Sequence, residues 1–173
     1  MKRRPLVVNG WTVIAHELFL SNLEQLFVEA AEVRARHPGD YTSRNAFKRL
    51  AAVIKLYSKL IPADPSSDAF RQGRTLGPGY THWRCAKFYQ QYRLFFRYHA
   101  PSKVIIIGWL NDGDTLRAYG SRSDAYAVFR NMLDSGRPPD DWDMLLVDAS
   151  SDVDRFVELM DKVQRLFSVD GNI

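Results

Sequence analysis

Tyr92-Arg-Leu-Phe-Phe-Arg-Tyr-His99 and Lys103-Val-Ile-Ile-Ile-Gly-Trp-Leu110 decide the fold. β-Branched and aromatic residues fill both runs, and Pro101-Ser102 between them signals a turn, so the two read as antiparallel neighbours. Upstream, a strand-like run over 82–89 completes a three-stranded meander. Residues 62–81 hold three prolines and three glycines and read as a loop. Before the loop, Leu18, Leu23, Leu26, Phe27, Ala30 and Val33 recur at helical spacing from Glu17 to about His37, where Pro38-Gly39-Asp40 ends the helix. A second helix is predicted from about Thr42 to Leu60, and Trp11–Ala15 ahead of both reads as a short strand. Downstream, a helix from Ser123 to Leu133 is capped by Ser123 and closed by Gly136 and Pro138-Pro139. The order β-α-α-β-β-β-α plus a terminal helix predicts an α+β domain, with two N-terminal helices packed on one face of a small antiparallel sheet.

The charge map adds a direction. The chain has 173 residues and a net charge of only +4. Residues 71–130, however, carry ten basic and three acidic side chains, a net of +7, whereas residues 131–173 carry four basic and ten acidic ones, a net of −6. Such asymmetry points to a polyanionic partner. Strand alternation sends Tyr92, Leu94, Phe96 and Tyr98 to one face and Arg93, Phe95, Arg97 and His99 to the other. The second face is expected to be open and to suit nucleic acid, because guanidinium groups neutralise phosphate and rings stack on bases. Arg71, Arg74, Lys103, Arg117 and Arg122 add positive charge around it.

Other chemistries find little support. One cysteine, Cys85, excludes a disulfide framework and a cysteine-rich metal site. The histidines at 16, 37, 82 and 99 lack paired-ligand spacing, so no metal and no cofactor is expected. Gly73–Gly79 lacks the Lys-Ser/Thr ending of a P-loop and reads as a turn, as does Asn111-Asp-Gly-Asp-Thr115. Neither a signal-peptide core nor a membrane span is visible, which predicts a cytoplasmic protein without membrane contact. RNA offers a reaction needing neither metal nor cofactor. Its 2′-hydroxyl attacks the neighbouring phosphorus if one group removes its proton, another protonates the departing 5′-oxygen, and cations stabilise the phosphoryl oxygens.

Several blocks then carry a resemblance. Asn9-Gly-Trp11, Ala69-Phe-Arg71-Gln-Gly73 with Leu76-Gly77, Lys87-Phe88 followed by Tyr92–Tyr98, Trp109-Leu-Asn-Asp112, Asp114-Thr-Leu-Arg117 with Tyr119-Gly120, Asp124-Ala-Tyr126, and Pro138-Pro139 with Asp141-Trp142 resemble YhaV toxins. The resemblance covers about residues 8–147. It implies the toxin of a type II toxin–antitoxin pair with a RelE-like ribonuclease fold, a PrlF antitoxin of the AbrB type as partner, and repression of its own operator DNA by the pair. The implied activity is that of a metal-independent endoribonuclease acting on RNA, either free, as ribosome-bound message or as ribosomal RNA. The alternatives are a non-catalytic RNA- or ribosome-binding module and a topoisomerase-poisoning toxin of the same fold.

Within that resemblance Tyr92-Arg93-Leu94 matches a motif of the wider RelE group, whose arginine contacts the scissile phosphate. Arg93 is accordingly the first catalytic candidate, joined by Arg84 and Lys87 on the preceding strand and by Arg117 with Tyr119, the alternative to that last pair being Arg122 with Tyr126. Arg71, Arg74, Arg97, Trp109, Arg122 and Tyr126 are the candidate RNA contacts. The boundary is drawn between a toxin domain, 1–147, and an acidic C-terminal helical extension, 148–173. This extension either packs its apolar face on the domain or in a dimer, or covers the basic groove and damps activity.

Overall fold

The computed structural model describes residues 2–168. The strand expected over Trp11–Ala15 is present as β2, and β1 (Leu6–Val8), which the sequence reading lacks, pairs with it in a hairpin closed by Asn9 and Gly10 at φ of 52° and 82°. Asn-Gly is the pair that a two-residue hairpin turn selects, because both central residues need positive φ. α1 (Glu17–Arg36) follows, and its first turn is capped by His16, whose Nδ1 accepts from the Leu18 N–H at 3.2 Å. The second helix is shorter at its start than its pattern suggests. A 3-10 turn, Tyr41–Ser43, precedes α2 (Asn45–Lys55), which widens to a π-turn over Leu56–Leu60 and ends in α3 (Ile61–Ala63).

β3 (Arg84–Phe88), β4 (Tyr92–His99) and β5 (Val104–Leu110) form the meander expected from the sequence. The sheet as a whole is not antiparallel: its order is β1-β2-β5-β4-β3, and β2 lies parallel to β5 with Thr12–Ala15 opposite Val104–Ile107. A parallel neighbour requires a long crossover, and the helical segment between the two strands supplies it. β5 is the middle strand of five, buried on both faces, which is why its sequence is an unbroken apolar run.

The helices cover both faces of the sheet, not the single face that the sequence suggests. α1, α2 and α6 (Val153–Ser168) cover Val13, Ala15, Leu94, Phe96, Ile105 and Ile107. α4 (Ala125–Asp134) and α5 (Trp142–Ser150) cover Ile14, Cys85, Phe95, Ile106 and Trp109. One cap differs from that read in the sequence: Asp124, not Ser123, caps α4, accepting from the Tyr126 and Ala127 N–H groups. Ser151 closes α5. α6 sets Phe156 edge-on to Phe19 and Tyr57, while its Asp154 and Asp161 bond to Arg3. Residues 169–173 of the extension lie outside the described residues.

One glycine fixes the meander. Phe95 faces Trp109 and Phe96 faces Ile107, so Gly108 is an extra residue that bulges β5. A Cβ on Gly108 would lie 2.6 Å from Cζ3 of the fully buried Trp83. Gly108→Ala is therefore expected to destabilise by about 1–3 kcal/mol through overpacking. A thermal melt would read this as a fall of several degrees, and an unchanged midpoint would mean that Trp83 yields freely.

Candidate nucleic-acid interface

The β3–β4 ladder sets Lys87 directly opposite Arg93 and Cys85 opposite Phe95, so all four share the face that α4 covers. Arg117 reaches the same place from the segment after β5. Asn111 ties the two segments together. Its Oδ1 accepts from the Arg93 N–H at 2.7 Å, and its Nδ2 donates to the Gln91 and Thr115 carbonyls, each at 2.9 Å. The Arg117 N–H in turn donates to the Gln91 carbonyl at 3.0 Å. Asn111–Thr115 is the turn the sequence suggests, with Asp112 accepting from the Asp114 N–H and the Thr115 hydroxyl.

Asp124 anchors the cluster. It bonds Nη1 of Arg117 at 2.7 Å and accepts from the Ala118, Tyr126 and Ala127 N–H groups. Burial works to raise the pKa of this carboxyl, but Arg117 and the backbone N–H groups outweigh it, and the net shift is downward. The Arg117 guanidinium lies 4.6 Å from the ring centres of both Tyr119 and Tyr126, and Arg93 stands 5.9 Å from the Tyr126 ring. Tyr126 donates its hydroxyl to Sγ of Cys85 at 3.6 Å. Burial pushes the Cys85 thiol up to about 11 against the charges of Arg93, Lys87 and Arg117, so Cys85 is a packed thiol and no nucleophile. Burial likewise raises the pKa of the Tyr126 phenol, with Cys85 adding to the shift and Arg93 opposing it.

Beside this cluster runs an open groove of about 710 Å³ lined by Thr75, Arg117, Tyr119, Arg122, Tyr126 and Arg130. Tyr119 is 94% exposed. Arg130 is the residue that sequence reading missed. The four-residue spacing of Tyr126 and Arg130 was the available signal, because such positions share one face of α4, whereas Arg122 lies ahead of the Asp124 cap.

Other candidates fall elsewhere. Arg84 is three residues from Lys87 and points to the opposite face, where it donates to the Ser66 and Ser67 carbonyls at 2.9 and 2.6 Å. Arg97 shares the face of Arg93 but is wedged between Trp83 and Trp142, donates to the Asp140 carbonyl, and has its pKa lowered by burial. Trp109 is buried with both Phe95 and Phe129 stacked on it, so its ring is committed to the core and not free for a base. The alternating arginine–aromatic face is thus roofed by α4 and α5 over most of its length, with Phe95 fully buried, instead of lying open. Arg71 is exposed and pairs with Asp68 at 3.4 Å; Arg74 is exposed beside Thr75. His82 pairs with Asp140 at 2.7 Å.

Among the described residues no three His, Cys, Asp or Glu side chains gather to hold a metal ion, and no helix is long and apolar enough to cross a membrane. Residues 13–150 match the family model described as a toxin with endonuclease activity, of a toxin–antitoxin system. The chain is 46% identical over 143 residues to the "Ribonuclease toxin YhaV" of Escherichia coli K12, which covers 82% of this chain and 93% of that protein. The "Toxin YhaV" of Escherichia coli O157:H7 matches with the same identity and coverage. No solved structure matches significantly. A match across most of both chains, over the segment that carries the Lys87–Arg93–Arg117 cluster, makes this chain a member of the YhaV toxin family.

Proposed function

We propose that the chain is a metal-independent endoribonuclease toxin of RelE-like fold that works at the Lys87–Arg93–Arg117 cluster, arrests translation and growth, and is held in check in the cytoplasm by a PrlF antitoxin of the AbrB type. The pair would repress its own operator. One observation carries the reading: three cations from three separate segments meet at one end of the sheet beside an open groove furnished with Tyr119, Tyr126, Arg122 and Arg130. The similar proteins named above supply the activity class.

The reaction uses the RNA's own nucleophile. The 2′-oxygen attacks phosphorus and gives up its proton. The bond from phosphorus to the 5′-oxygen breaks, and that oxygen takes a proton. The products are a 2′,3′-cyclic phosphate and a 5′-hydroxyl. Negative charge grows on the phosphoryl oxygens meanwhile, and fixed cations at that point are the largest electrostatic aid available. Arg117 is partly exposed, is oriented by Asp124, and has guanidinium N–H groups beyond the one bound there. Lys87 is exposed across the ladder. Arg93, 8% exposed and bonded to the Gln90 and Tyr92 carbonyls, contributes its charge from beneath. Proton transfer falls to Lys87 or Tyr119, the exposed N–H and O–H groups of the cluster. Tyr126 is a hydrogen-bond donor, since its raised pKa keeps the phenol protonated.

Incubation of the purified chain with RNA in chelator, with and without ribosomes, tests this. New 5′-hydroxyl and cyclic-phosphate ends are expected in chelator. Cleavage that stops in chelator and returns with magnesium would overturn metal independence, and binding without new ends would overturn the enzyme.

A further inference from the structure

On the other side of the β3–β4 hairpin from the groove lies a second basic and aromatic hollow. Asn45, Lys48, Arg49, Tyr89 and Tyr92 line a cavity of about 450 Å³. Its parts are unusually arranged for a plain surface. Tyr89 and Gln90 form the hairpin turn at φ of 44° and 62°, a left-handed conformation that a bulky residue adopts at some strain. Tyr89 is nonetheless 53% exposed, its hydroxyl lying 3.4 Å from the Lys48 carbonyl. Lys48 is exposed beside it. Arg49 forms the wall: it donates to the Tyr92 hydroxyl at 2.7 Å, stands 5.5 Å over that ring and reaches Glu29 at 3.7 Å. Its Nε is shielded from solvent and has no hydrogen-bond partner among the described residues. The first turn of α2 opens here as well and receives no side-chain hydrogen bond from Arg44, its cap.

We propose that this cavity is a second nucleotide subsite, which holds the RNA nucleotide adjoining the scissile phosphate, with its base on the Tyr89 ring and its phosphate against Lys48 and the first turn of α2. The inference rests on the ribonuclease reading above and deepens it. Position argues for RNA: Lys87 lies near the end of β3 and Tyr89 opens the turn that follows it, so a strand leaving the Lys87–Arg117 cluster and passing over that turn meets the Tyr89 ring. An exposed ring beside a cation is how single strands are held without sequence readout. Neither Lys48 nor Tyr89 belongs to either core, the Tyr89 ring meeting the edge of Phe88 at 5.8 Å, so exchanging them leaves both cores in place.

The test uses a 2′-O-methyl oligouridine, which lacks the attacking hydroxyl and reports binding alone. Lys48→Ala combined with Tyr89→Asn, an exchange the left-handed turn accepts, should weaken its binding about tenfold. The slope of log K against log salt should shrink by about 0.7, because one cation fewer neutralises a phosphate of the single strand. Arg117→Ala, measured in parallel, reports on the groove itself. Weakening by Arg117→Ala with an unaltered double variant overturns the subsite and leaves the catalytic reading standing. Weakening by the double variant alone supports the subsite and removes Arg117 from the RNA site. No binding by the wild-type chain overturns both. If the double variant keeps its RNA affinity but loses the antitoxin, the cavity serves the protein partner and the subsite is likewise overturned.

Discussion

Arg117→Ala is expected to lower RNA cleavage by about 10²–10³, the range seen when one preorganised donor is removed from a developing oxyanion. The size follows from the position of Arg117. It is the cation with access to the groove, a fixed orientation from Asp124, and ring contacts with both Tyr119 and Tyr126. The fold should survive, because Asp124 keeps its bonds to the Ala118, Tyr126 and Ala127 N–H groups and α4 stays capped. The stability change should be about 1–3 kcal/mol, from a carboxylate left 6% exposed without its cation. Arg117→Lys should recover only part of the rate, because an ammonium keeps the charge but loses the planar fork and the stacking on two rings. Initial rates on an oligoribonucleotide, taken beside a thermal melt, separate the two effects. Wild-type rates in a folded Arg117→Ala chain would remove Arg117 from the reaction.

Phe129→Ala should be the most damaging change for stability, at about 3–5 kcal/mol. Phe129 is fully buried and stacks on Phe95 with centroids 4.4 Å apart and on Trp109 at 5.6 Å, with Trp83 edge-on at 5.1 Å. Removing the ring leaves a cavity that three rigid neighbours cannot fill by small shifts. For a chain of this size the melting midpoint should fall by roughly 6–20 °C. Phe129→Leu should retain much of that stability, since part of the volume remains. Denaturant unfolding gives the same comparison, and a loss no larger than that of the exposed Asn131→Ala would mean that the α4 core is dispensable.

The meander is readable because β4 and β5 declare themselves in residue type, with a turn signal between them. β1 is not, being three residues long, although Asn9-Gly10 is a legible hairpin turn. The parallel pairing of β2 with β5 cannot be read, because nothing local in either strand names a partner so distant in sequence. α5 is hidden for a related reason: Pro138-Pro139-Asp140-Asp141 has loop composition, yet Asp141 caps the helix by accepting from the Met144 N–H. Alternation correctly gives β4 two faces but does not say what covers them. Phe95 and Trp109 therefore belong to a second core and not to a base-stacking surface. The catalytic candidates divide by the same arithmetic. Lys87 and Arg93 meet because the hairpin register sets them opposite each other, and Arg84 lies apart from them because an odd separation turns it to the other face.

The pairing of β2 with β5 also dictates when this protein can exist. Translation makes Ala15 long before Val104, at roughly 5–20 residues per second. Until β5 emerges from the ribosome, β2 lacks its neighbour and the sheet lacks its centre. Pairing between segments so far apart in sequence also slows the search for the native state. Arg117 and Tyr126 emerge later still. A growing chain therefore carries no assembled site for most of its synthesis, and the order of manufacture delays the appearance of a working toxin.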